Sequence, residues 1–204
     1  QKITTILDYL LNTPEDEQNL ADVLIPGFLD TGCIEAGGPR PGMGCAGRGI
    51  LTAFDFLNKY HAIEKYDQVI YDVLGDVVCG GFSMPMRGGY ADKVFIITSG
   101  ENMAIHAAAN IAMAVDNFKN RGYAELGGLI LNRRDVPREE EKVEELADDF
   151  HTDVIGILSH SDQVILAEEQ KKTLMECYPE SEMATEYRIL AEQILNLCRE
   201  DGLC

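Results

Sequence analysis

Four short runs of β-branched and apolar residues, QVIYDVL (68–74), KVFIITS (93–99), LGGLILN (126–132) and DVIGIL (153–158), alternate with stretches of helical periodicity. Strands that alternate with helices pair in parallel, and their sheet is covered on both faces. The helical stretches carry their own signals. TSGE has the form of a capping box from Thr98 to Glu101. After it, Met103, Ala107, Ile111, Ala114, Val115 and Phe118 fall on one predicted face. PREEEKVEELADDF opens with a proline and an acidic first turn, as helix N-termini prefer. MATEYRILAEQILNLC reads as a last amphipathic helix. The expected fold is therefore α/β, a mostly parallel, doubly wound sheet in a single domain over residues 1–204.

Composition narrows the function classes. A chain of 204 residues with 46% hydrophobic content can build one proper core. Its 35 acidic residues against 17 basic ones give a net charge of −18, which argues against nucleic acid as a partner, since phosphate contacts need a basic face. No apolar run reaches the roughly 18 residues of a membrane span, and QKITTILDYLL lacks the layout of a secretory leader. A cytoplasmic protein with no membrane partner is expected.

Two segments break the strand–helix rhythm. Residues 32–49, GCIEAGGPRPGMGCAGRG, hold seven glycines and two prolines, and residues 75–89 hold five more glycines. Loops this rich in glycine inside a compact α/β domain are usually functional. The two segments carry Cys45 and Cys79, 34 residues apart, and the first also holds Cys33. Glycine amides beside a thiolate can donate to cluster sulfurs and tune their potential. Two thiolates are half the set that a [4Fe–4S] cluster needs, and a two-fold dimer supplies the other half. A pair of buried loop thiols is the alternative. A zinc site that also uses Cys33 lacks a fitting spacing. Cys177 and Cys198 read as small hydrophobes on helices and Cys204 as tail, while His61, His106, His151 and His160 are scattered singly as surface or packing residues.

The apolar run ending in Asp72 has the form of the Walker B element of P-loop nucleotide hydrolases, where a carboxylate serves Mg²⁺. Gly75 would let backbone N–H approach a terminal phosphate, and Asp76 would orient or deprotonate the attacking water. The given sequence holds no G-x-x-x-x-G-K-[ST] phosphate loop and begins in helical pattern, without a first strand.

GGPRPGMGCAGRGI, followed by YDVLGDVVCGGFSMPMR, closely resembles the iron protein of nitrogenase and its relatives, the reductase subunits for protochlorophyllide and for nickel tetrapyrrole maturation. The likeness continues through TSGENMAIHAAANI, LGGLILNRR and EYRILAEQI. The resemblance implies a homodimeric ATPase of the P-loop NTPase type that binds MgATP and carries one [4Fe–4S] cluster across its two-fold axis. It would take electrons from ferredoxin or flavodoxin and pass them to a nitrogenase or nitrogenase-like catalytic reductase component. Carried over by position, Cys45 and Cys79 match the cluster ligands, and Asp72, Gly75 and Asp76 the nucleotide-sensing switch. Asn132 matches the asparagine on the adenine base, Glu168 and Tyr187 further pocket positions, and Arg48 a docking-face arginine that is ADP-ribosylated in some members. Cys33 matches a family cysteine that is not a ligand. The resemblance also implies a phosphate loop ahead of the given residues and an extension after them. Asn58 to Tyr60 and Tyr90 stand where nitrogenase iron proteins carry acidic residues and a lysine, and charge complementarity sets partner choice. An alternative activity is a non-redox P-loop ATPase that carries or scaffolds clusters.

Seven residues separate Asp72 from Cys79, a reach of at most about 25 Å, so phosphate chemistry and cluster surroundings share one segment. In anaerobically prepared full-length protein, Cys45→Ser or Cys79→Ser is expected to reduce iron from about four per dimer to near none, while Cys177→Ser leaves it unchanged. Iron analysis with the visible absorbance checks this, and full iron retention in Cys79→Ser would remove the assignment.

Overall fold

The computed structural model describes residues 3–38, 46–73, 75, 84–86, 89–118 and 122–200, the side chains of 46–48 and 200 apart. The chain forms two compact units, residues 1–84 and 85–204.

In the first unit, helix α1 (Ile6–Asn12) starts at Thr5, whose hydroxyl accepts from the Asp8 N–H at 3.1 Å. Two 3-10 turns follow at Glu15–Glu17 and Leu20–Asp22, then a two-residue antiparallel pair, β1 (Ile25–Pro26) with β2 (Gly32–Cys33). Helix α2 (Ala46–Lys59) turns Ala53, Phe56 and Leu57 onto Ile6, Tyr9, Leu20 and Val23, with Tyr60 just beyond its end. That spacing is the one-face repeat of a helix. The Tyr9 hydroxyl is a polar anchor in this core, donating to Asp22 Oδ2 at 2.5 Å and accepting from the Asn19 N–H at 2.8 Å.

The second unit contains the sheet. Strands β3 (Lys93–Thr98), β4 (Glu125–Asn132) and β5 (Val154–Leu158) run parallel in the order β3-β4-β5. Helix α3 (Asn102–Asp116) joins the first two strands and α4 (Glu139–Asp149) the next two. After β5 come α5 (Asp162–Glu169), α6 (Leu174–Cys177) and α7 (Glu182–Glu200). Leu129 and Leu131 of β4 pack with Ala108 and Ala112 of α3 and with Val143, Leu146 and Ala147 of α4. Ile130, between them, packs with Leu158, Leu174, Met183, Ala184 and Leu190 on the opposite side. Side chains alternate across a strand, so these two sets are the two faces of β4, and helices cover both. The expected α/β class with a parallel sheet is the fold observed. No helix among the described residues is long and apolar enough to cross a membrane.

Three expectations need correction. The run 68–73 forms no strand: none of these residues has a ladder partner among the described residues, and Ile70 is 92% exposed. An apolar run is a strand only when a neighbour satisfies its backbone. The capping box at TSGE is also not formed. Thr98 is the last residue of β3, and Glu101 itself takes the N-cap position of α3 without a side-chain bond. A true capping box occurs instead at α6, between Thr173 and Glu176. Finally, the expected face of α3 holds only in part: Val115 is buried and Ile111 packs on the core, but Ala108 and Ala112 complete the buried face, and Met103 and Ala107 are exposed. In so alanine-rich a helix, nearly every turn offers a small apolar side chain, and only packing selects the face.

Gly128 lies at φ +146°, and a Cβ there would sit 2.5 Å from Ile155 Cγ2 and 3.2 Å from the Asp153 carbonyl oxygen. Gly128→Ala is expected to cost about 2 kcal/mol through strained backbone and overpacking between β4 and β5. A lower urea midpoint at unchanged slope is the expected result.

Candidate functional site

Ligands of parallel α/β sheets bind beyond the carboxyl ends of the strands. Here Asn132 ends β4, half-buried, and is in register with Leu158, which ends β5. The Arg133 N–H donates to the Leu158 carbonyl at 2.9 Å, closing the last rung between the two strands. Ser159, one residue further, is gripped by Glu186 of α7: its N–H and its hydroxyl each donate to one carboxylate oxygen at 2.7 Å. Ser161 then caps α5, its hydroxyl accepting from the Gln163 N–H. His160, between the two serines, lies 3.6 Å from the Asp135 carboxylate on the turn after β4.

Tyr187 follows Glu186 on α7 and packs against the core of the far face. Burial is the main cause that raises its hydroxyl above the ordinary tyrosine value, and the charges of Glu168 and then Glu186 add to it. The charge of Glu168 on α5 thus acts on Tyr187 of α7, which follows directly after the carboxylate that holds Ser159.

The turn after β4 is tied to the loop after β3. Glu139, the first residue of α4, accepts through Oε2 from the Arg134 N–H at 3.0 Å and the Val136 N–H at 3.3 Å. Lys142, one helical turn on, donates from Nζ to the Gly100 carbonyl at 2.9 Å and to Asn102 Oδ1 at 3.2 Å. The Glu101 carboxyl is held below its usual range, first by the Ser99 hydroxyl and its own backbone N–H, then by the Arg134 and Lys142 charges. Arg133 pairs with Glu140, while its Nε is buried with no hydrogen-bond partner among the described residues.

In the first unit, Asp72 and Gly75 are exposed, and Arg48 lies in the first turn of α2. Cys45, Asp76 and Cys79 lie outside the described residues, as does the Arg48 side chain. Cys33 is exposed; Cys177 and Cys198 are partly buried on α6 and α7. Among the described residues, no three metal-binding side chains gather. The sequence reading missed Glu139, Lys142, Ser159 and Glu186. Ser161 before Asp162 was a visible cap signal. Lys142, Ser159 and Glu186 join elements far apart in sequence, and Glu139, though its hydrogen bonds are local, is one of three consecutive glutamates that nothing local tells apart.

The parallel sheet with helices on both faces is the architecture of the MinD and ParA ATPases. The septum site-determining protein MinD of Pyrococcus horikoshii, solved with Mg-ADP, matches with TM-score 0.64 at 15% identity over 96% of this chain and 75% of its own. The cell division ATPase MinD of Pyrococcus furiosus matches with TM-score 0.57 at 16% identity over 74% of this chain. A ParA family ATPase from Chlorobium tepidum matches with TM-score 0.58 at 14% identity, over 81% of this chain and 64% of its own. The match spans 59% of the Pyrococcus furiosus protein's length. At these identities the likeness is one of fold. Residues 1–200 match the 4Fe-4S iron sulfur cluster binding proteins of the NifH/frxC family, and the chain belongs to that family.

The Tyr187 environment gives a direct test. The difference spectrum between wild type and Tyr187→Phe during alkaline titration should show a phenol ionising above 10.0. Glu168→Gln should bring it only part of the way back, because burial is the larger cause. A raised folded-state value means that Tyr187 contributes stability below the unfolded value, lost as pH rises through the folded one. A phenol at its ordinary value would remove Tyr187 from this setting.

Proposed function

We propose that the protein is an ATP-dependent iron–sulfur electron donor, the reductase component of a nitrogenase or nitrogenase-like system. The observation that carries this reading is the family match over residues 1–200, which includes both glycine-flanked cysteine motifs. It works as a cytoplasmic homodimer, charged by ferredoxin or flavodoxin, and Arg48 lies on the face that meets the partner.

The donor chemistry fits a shared cluster. Cys45 and Cys79 offer two thiolates per chain, and two chains offer the four that a [4Fe–4S] cluster takes. When bound, the cluster supplies one-electron transfer at low potential. The carboxyl end of β4 fits a nucleotide. Asn132 presents an amide that can both donate and accept at the mouth of β4. The buried Nε of the neighbouring Arg133 is a donor that an acceptor-bearing ligand would satisfy. Glu168 and Tyr187 complete that pocket, with Tyr187 kept protonated as a donor.

Asp72 supplies a carboxylate for Mg²⁺ of MgATP, by the preference of that ion for oxygen. Asp76 holds and orients the attacking water and accepts its proton. Gly75, between them, leaves its N–H free of a side chain for close approach to phosphate. Because Cys79 follows Asp76 after three residues, a change at the phosphate end alters the backbone that carries the thiolate.

In full-length protein, Asp76→Asn keeps the side-chain shape and removes the base. MgATP binding is expected to persist while hydrolysis falls by roughly 10²–10⁴-fold, with partner reduction stopping after one docking event. ATP turnover and reduction of a nitrogenase-type catalytic component are measured together. Continued multi-turnover reduction while hydrolysis collapses would refute the coupling. Cluster-loaded wild type that delivers no electrons to such a component, yet transfers its cluster to an apo-protein, would establish the carrier function instead.

A further inference from the structure

We propose that Glu139 is the positioning residue for the base end of the nucleotide site, locking the backbone after Asn132 and, with Lys142, clasping that backbone to the loop after β3. The inference rests on the nucleotide-binding reading above and deepens it.

Glu139 is the buried charged side chain among the described residues, only 8% exposed. Its neighbours Glu140 and Glu141 behave as a helix's acidic first turn usually does, pairing with Arg133 and Arg138 at the surface. Burying a carboxylate is costly unless hydrogen bonds replace its water. Here the replacement is two backbone N–H groups, of Arg134 and Val136, both on the turn that follows Asn132.

That turn does not hold itself. Asp135 lies at φ 58° and Arg138 at φ 60°, left-handed conformations that cost a non-glycine residue free energy. Such conformations persist when surrounding contacts fix them. A carboxylate bonded to the N–H groups on both sides of Asp135 is that contact. Without it the turn can relax, and beyond Arg133, whose N–H stays on the Leu158 carbonyl, the Asn132 amide is the next side chain upstream.

The clasp to β3 is steric as well as polar. A Cβ at Gly100 would lie 2.2 Å from Glu139 Cβ and 2.7 Å from its Cα, so only glycine lets the two backbones meet here. Lys142 then closes over the contact through the Gly100 carbonyl and Asn102. The loops after β3 and β4 consequently move together.

The test uses full-length protein and isothermal titration with Mg-ADP and with Mg-GDP. Wild type should prefer the adenine nucleotide. Glu139→Ala should raise the Mg-ADP dissociation constant about tenfold and narrow the ADP-to-GDP ratio, as expected for losing hydrogen bonds to a charged acceptor. Glu139→Gln, which retains an acceptor of the same shape, should restore most of both. Lys142→Met keeps the packing of the stem and should narrow the ratio by a smaller factor; it carries the test if Glu139→Ala does not fold. A lowered melting temperature with an unchanged ADP-to-GDP ratio would make Glu139 merely structural and overturn the inference alone. Wild type that binds neither nucleotide would overturn the nucleotide reading, and the inference with it.

Discussion

Strand β4 is hydrogen-bonded on both edges and packed on both faces, and the other elements of residues 85–204 take their places from it. Its pairing with β3 and β5 satisfies a backbone that burial would otherwise leave expensive. Leu129 and Leu131 fix α3 and α4 on one side, and Ile130 fixes α6 and α7 on the other. The end of β4 therefore has little freedom. Asn132 emerges from the most constrained strand, a good place for a side chain that must be held still.

That constraint explains which parts of the fold were legible. A strand buried on both faces is apolar throughout, so LGGLILN announced itself, and its two neighbours did so for the same reason. The run 68–73 is just as apolar, yet it is not a strand here, because composition records burial potential and pairing requires a partner. The face of α3 was misread where alanine made every face look apolar. The Thr98–Glu101 box failed because β3 reaches Thr98 and leaves that residue in strand geometry. The match between Thr173 and Glu176 has the same spacing with no strand to compete.

The candidate site divides along another line. The cysteine motifs drew attention because thiols in glycine-rich segments are a local signal, and Asn132 because it ends an apolar run that the structure forms as β4. The supports were not legible. Glu139 sits in a run of three glutamates that sequence cannot tell apart, and only the turn before α4 shows that one of them is turned inward. Glu186 is likewise one of many acidic residues on the last helices, distinguished by its grip on Ser159 across 27 positions of sequence. The net charge of −18 hid both, since most acidic residues need no structural explanation.

The chain reaches β3 from the segment that carries Asp72, Gly75 and the second cysteine motif, and its entry is fixed. The Met86 carbonyl accepts from the Ala124 N–H at 2.9 Å, one residue before β4 begins, and the Asp92 carbonyl accepts from the Glu125 N–H at 2.9 Å. The segment's downstream end is thus anchored at the root of the strand whose far end bears Asn132. Sliding β3 along β4 would break the bond between Glu125 and Asp92, so the strand is pinned where it begins.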